Sequence, residues 1–98
     1  MEILINHGDY LEIILKGRLD TVTSAELQAA LDKEEINEKL VVLDFKELEY
    51  ISSAGLRVLL SLKKKLSSEG RELEVHNLND VVKEVFKVTG FGNIITVK

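Results

Sequence analysis

The chain reads as a small α/β domain: a mostly parallel sheet with an N-terminal β-hairpin and three helices. Two observations predict this. Apolar runs of strand length alternate with longer stretches of helical period, in the order β-β-α-β-α-β-α-β. The third run, Leu40 to Phe45, is nearly continuous apolar, broken only by Asp44, as expected for a central strand covered on both faces. Strands separated by helices pair in parallel through right-handed crossovers, so sequential strands should lie side by side. Only the first pair should be antiparallel.

Residues Glu2 to Asn6 and Tyr10 to Lys16 read as two strands joined at His7-Gly8-Asp9, a turn signal. Gly17 is expected to end the second strand. Thr23-Ser24-Ala25-Glu26 has the Thr-x-x-Glu form of a capping box, and the helix behind it places Leu27, Ala30 and Leu31 on one face. Asp20 competes as a further cap before that helix or as a partner contact. After Phe45, Lys46 to Ile51 reads as a short linker. The second helix should run from about Ser53 to Ser68. Arg57, Ser61, Lys64, Lys65 and Ser68 make its polar stripe, and Leu56, Leu59, Leu60 and Leu66 fill the opposite side. Gly70 suits its C-terminal end. Glu72 to His76 alternates, with Leu73 and Val75 inward. Asn79 or Asp80 caps a third helix with core residues Val82, Val85 and Phe86, Gly90 stops it, and Asn93 to Val97 closes as a β-branched strand.

Ninety-eight residues form one domain, residues 1–98, with a single core. A net charge of -4 argues against a nucleic-acid partner, which would meet a basic face. With no cysteine there is no disulfide or thiol chemistry, and two distant histidines do not suggest a metal site. No apolar run approaches the ~20 residues of a membrane span and no signal peptide opens the chain, so the expected location is the cytoplasm. Gly90-Phe91-Gly92 follows no strand and has no lysine, so it is not a nucleotide loop, and no cofactor is expected.

The stretch with most chemical content is Ser52-Ser53-Ala54-Gly55-Leu56, at the start of the second helix. Free backbone N–H groups and the positive end of the helix dipole converge there, so a small anionic group can be held. Ser53 is accordingly the candidate regulatory hydroxyl. The competing reading makes Ser52 or Ser53 only a helix N-cap. Ligands of open parallel sheets meet the carboxyl ends of the strands. Asp20, Asp44 and Ser53 are expected to gather at that edge. A small-hydrolase reading, with Ser53 as an esterase nucleophile, is the weakest alternative: a nucleophile elbow needs G-x-S-x-G, and here Gly55 is in place but Ile51 stands where the first glycine should be. Neither His7 nor His76 follows an obvious acid partner. Lys63-Lys64-Lys65 reads as a solvated helix face, with a docking patch for an acidic partner as the alternative.

Four segments in order carry a family resemblance. Gly17-Arg18-Leu19-Asp20, Ala25-Glu26-Leu27, Val42-Leu43-Asp44-Phe45 with Tyr50-Ile51-Ser52-Ser53-Ala54-Gly55-Leu56, and Thr89-Gly90-Phe91 with Ile94-Ile95 resemble the STAS domain of bacterial anti-sigma-factor antagonists over nearly the whole chain. The resemblance implies a non-enzymatic protein that binds an anti-sigma factor doubling as a serine kinase, and so frees a sigma factor. It implies phosphorylation at Ser53, with Ser52 as the alternative, a phosphatase that resets the switch, and action mainly as a monomer. It also implies a partner-binding patch of Asp20, Thr21, Ser52, Ser53, Gly55, Leu56 and Arg57. The sequence departs from the family at Ser52, where antagonists often carry Asp before the acceptor. That departure keeps a second role open: a constitutive STAS interaction subunit of a transport or signalling complex. The chain ends right after Ile94-Ile95-Thr96-Val97-Lys98, so the extra carboxyl-terminal helix often present in the family is expected to be missing or very short.

Overall fold

The computed structural model describes all residues from 1 to 98. Strands β1 (Glu2–Asn6) and β2 (Leu11–Leu19) are followed by helix α1 (Thr21–Lys33), strand β3 (Leu40–Ile51), helix α2 (Ser53–Ser68), strand β4 (Glu72–His76), helix α3 (Asp80–Thr89), a short 3-10 turn (Phe91–Asn93) and strand β5 (Thr96–Val97). The five strands lie in sequence order, β1-β2-β3-β4-β5. β1 pairs antiparallel with β2 and the other pairs are parallel, as the alternation of elements predicts.

Every crossover steps the same way across the sheet, so right-handed connections place all three helices on one face. Side chains that alternate onto that face build the core: Leu11, Ile13 and Leu15 from β2, Val41, Leu43 and Phe45 from β3, and Leu73 and Val75 from β4. Leu27, Leu59, Val82 and Phe86 come down on them from the helices. Phe45 meets Phe86 edge-on with ring centroids 6.4 Å apart. The expectation that β3 is covered on both faces is therefore corrected. Val42 is buried but stands outside this core, on the sheet face that carries no helix.

β2 does not stop at Gly17, and Lys46 to Ile51 is no linker: both strands run on side by side to Leu19 and Ile51. The sequence hides this because β3 gains an extra residue against β2 at two bulges, between Ile14 and Lys16 and between Gly17 and Arg18. Each bulge resets the pleat. The buried residues Phe45, Leu48 and Ile51 are then spaced by three instead of two, and the strand signal is lost. Gly17 sits beside the second bulge with φ 109°, a conformation L side chains rarely adopt, so it bends the strand instead of ending it.

The helix ends follow from local chemistry. α2 closes with the amides of Gly70 and Arg71 bonded to the carbonyls of Ser67 and Leu66, at 3.1 and 2.8 Å. Its stripe of Arg57, Ser61, Lys64, Lys65 and Ser68 is exposed throughout. Asn79, not Asp80, caps α3 by accepting the Val82 N–H at 2.8 Å, while its amide group donates to the Leu48 carbonyl at 3.0 Å. The closing strand is shorter than Asn93 to Val97. Phe91 packs on Phe86 (6.0 Å), and its carbonyl accepts the amides of Ile94 and Ile95, which holds the chain in a turn until Thr96.

Candidate functional site at the carboxyl edge of the sheet

The site is the place where β2 and β3 end together and α1 and α2 begin. The Ser52 amide donates to the Leu19 carbonyl at 2.8 Å, which ties the two strand ends. Ser52 is then the N-cap of α2: its backbone is extended, and its Oγ accepts the Gly55 N–H at 3.2 Å. Ser53 is the first helical residue, exposed, with no hydrogen bond to its hydroxyl. The cap is Ser52, and the hydroxyl of Ser53 is uncommitted. The amides of Ser53 and Ala54 carry no protein acceptor either, as expected in the first turn of a helix.

Gly55 explains why this edge is tight. A Cβ there would lie 2.8 Å from Leu19 Cγ and 2.9 Å from Ile51 Cγ1, closer than van der Waals contact allows. Only glycine lets the start of α2 settle on both strand ends. Gly55 and Leu56 are buried at the start of α2. They hold the surface that Ser53 and the exposed Arg57, one helical turn further on, present.

Asp20 caps α1. Its Oδ1 accepts the amides of Val22 and Thr23, each at 3.0 Å, while Thr23 Oγ1 accepts the Asp20 amide at 2.8 Å. The capping box is therefore Asp20 with Thr23, one turn earlier than Thr23 with Glu26, because the carboxylate outcompetes the hydroxyl for two amides at once. The Thr23 amide and hydroxyl bonds, with a smaller pull from Arg18, hold the Asp20 carboxyl below its ordinary range. Ser24 is buried and bonds the Asp20 carbonyl. Thr21 and Val22 are exposed beside the cap, Val22 by 71%. The exposure of Val22 is a feature the sequence did not reveal, since one apolar residue at a helix start has no periodic signature. Arg18 lies over the Tyr50 ring at 4.7 Å on the paired ends of β2 and β3.

Asp44 does not join this edge. It pairs in register with Ile14 and His76 within β3, seven residues before Ile51, and its Oδ1 accepts the Lys46 amide at 2.9 Å and Asn77 Nδ2 at 3.1 Å. The histidines do have acid partners. His7 Nε2 and Nδ1 lie 2.5 and 2.8 Å from Glu34 and Glu38, and His76 Nε2 lies 2.9 Å from Glu74. The bonds to Glu34 and then Glu38 raise the His7 pKa above 6.5. Burial pushes Glu38 upward, but the His7 bond and the amides near it outweigh that and leave its pKa lowered. This cluster joins the β1–β2 turn to the α1–β3 connection, at the opposite, amino edge of the sheet. No helix of the structure is long and apolar enough to cross a membrane.

One helical layer on a five-stranded, mostly parallel sheet defines a small single-domain α/β protein. The chain belongs to the STAS domain family, whose model matches residues 3–98. It is 30% identical to the anti-sigma-B factor antagonist of Listeria monocytogenes across its whole length, covering 87% of that protein. It is 48% identical over 73 residues to BtrV of Bordetella bronchiseptica, whose name assigns it provisionally to the anti-sigma factor antagonists; the match spans 74% of this chain and 60% of BtrV. Among solved structures, the anti-sigma factor antagonist SpoIIAA in its unphosphorylated form superposes with a TM-score of 0.84 at 18% identity, covering 99% of this chain and 88% of SpoIIAA. The fold expected from the residues is thereby the fold of that family.

Proposed function

We propose that this protein is an anti-sigma factor antagonist that binds an anti-sigma factor with serine-kinase activity and is switched off by phosphorylation of Ser53. The observation that carries the reading is the division of labour between the serines. Ser52 is spent on the cap, so a kinase can modify Ser53 without dismantling the helix start. Relatives that share the fold and bear the antagonist name support it, and SpoIIAA has been solved in a phosphorylated form as well as an unphosphorylated one.

Phosphorylation adds about -1.5 to -2 charge at neutral pH. The open amides of Ser53 and Ala54 and the α2 dipole favour that charge, and Arg57 stands one turn away to meet it. The fold therefore tolerates the modification, and the effect falls on the interface. A dianion against a partner surface brings bulk and costs desolvation. A hundredfold loss of affinity needs only about 2.8 kcal/mol. The partner surface in this reading comprises Thr21, Val22, Ser53 and Arg57, positioned by Asp20, Ser52, Gly55 and Leu56. A phosphatase acting on phospho-Ser53 restores binding.

The test is titration of wild type and Ser53→Asp against the anti-sigma kinase encoded in the same host, with thermal melting of both. The expected result is a loss of about a hundredfold in affinity with little change in melting temperature. Equal binding by both proteins contradicts the switch. It would favour a constitutive interaction subunit, a role compatible with Ser52 standing where antagonists often carry Asp.

A further inference from the structure

Helix α3 carries an apolar stripe of which the core uses only the middle residue, Val85. Val82 and Phe86 face the sheet, whereas Val81 and Val88 are 54% and 75% exposed. Val85 is half-buried between them. The spacing of four and three residues puts the three valines on one face. Thr89 extends it, because its hydroxyl turns back to the Val85 carbonyl at 2.7 Å. Asp80, Glu84 and Lys87 flank the stripe on one side, and none of them is in an ion pair within the chain.

We propose that this face binds a second copy of the same chain, with the two α3 helices packed antiparallel about a twofold axis. Charges along the stripe run from acidic at Asp80 and Glu84 to basic at Lys87. An antiparallel copy lays the Lys87 end of one helix beside the Asp80 and Glu84 end of the other, twice by symmetry, and sets Val81 against Val88. The helix dipoles then also oppose favourably. Glu84 lies near the centre of the stripe and approaches its own copy, the one repulsive contact in the arrangement.

Ten residues of helix span about 15 Å, so the contact is well below the size of a standard stable interface, and the dimer forms only at high concentration. The monomer implied by the family resemblance is the species at low concentration. Crossover helices run opposite to the strands they connect, so antiparallel α3 helices point the two carboxyl edges away from each other. Ser53 stays accessible in both copies, and the proposal stands apart from the phosphorylation reading.

Sedimentation of the full chain from about 10 µM to about 1 mM tests it, the range in which a small interface assembles. The mean mass should climb from 11.0 kDa toward twice that value and level off. Val88→Glu, on a side chain the fold does not need, should remain at 11.0 kDa with an unchanged circular dichroism spectrum. Glu84→Gln should shift the wild-type curve several-fold toward lower concentration. A wild type that stays monomeric at 1 mM, equal association of Val88→Glu, or a mass that passes the dimer without levelling overturns the proposal.

Discussion

At the carboxyl edge of the sheet, Asp20 and Ser52 hold amides two and three residues away in sequence. At the amino edge, His7 holds Glu34 and Glu38 across 27 and 31 residues. The first arrangement is local and backed by close packing under Gly55, so it fixes where an exposed hydroxyl stands. The second is a set of side chains joining two loops, with His7 half exposed and Glu34 and Glu38 largely covered, and its strength follows their charge. The contrast teaches that the edge with the smaller polar groups is the better built. Caps and a missing Cβ, not ion pairs, make the stage for Ser53.

The largest effect expected from breaking that contrast is at Gly55. Gly55→Ala forces a Cβ against Leu19 and Ile51. Overpacking of this kind costs about 1–3 kcal/mol, read by urea denaturation. An unchanged midpoint would mean that α2 can lift off the strand ends and that the edge is looser than described. Next comes Ser52→Ala, which removes the cap and should cost about 1 kcal/mol while leaving Ser53 available for modification.

Most of the carboxyl edge was legible in the sequence for the same reason that it is robust. Its polar contacts span few residues, so Ser52 or Ser53 as cap, α2 from Ser53 to Ser68, and the strand order all follow from local pattern and handedness. What was not legible depends on distant chain. The pairing of His7 with Glu34 and Glu38 needs the α1–β3 connection folded against the hairpin turn. The second half of β3 was hidden by bulges that replace period two with period three. The wrong place for Asp44 followed directly, since a strand thought to end at Phe45 puts Asp44 at its edge, whereas the true end is Ile51.

Acid and base separate the two edges further. Asp20 has a lowered pKa in the fold, so its contribution is present at neutral pH and is lost as pH falls through that lowered value. Asp20→Asn keeps a cap acceptor but cannot titrate, and its thermal stability should fall less than that of wild type between neutral and acidic pH. His7 has the opposite sign. Its raised pKa means that the tie to Glu34 and Glu38 is complete below the ordinary value of 6.5 and is lost as pH rises through the raised one. This is the smallest effect, because His7 stands half in solvent, which screens the pairing. NMR titration of the His7 ring should give a midpoint above 6.5 that drops toward 6.5 in Glu34→Gln. A wild-type midpoint at or below 6.5 would remove the amino-edge half of the comparison.

The proposed switch depends on which serine carries phosphate. Intact-mass measurement with phosphopeptide mapping, on protein isolated from its own host in growing and stressed cells, reads this directly. A single phosphate on Ser53, with occupancy that changes with stress, is the predicted result. Phosphate on Ser52, or none under any condition, contradicts it and returns Ser53 to an ordinary first residue of a helix.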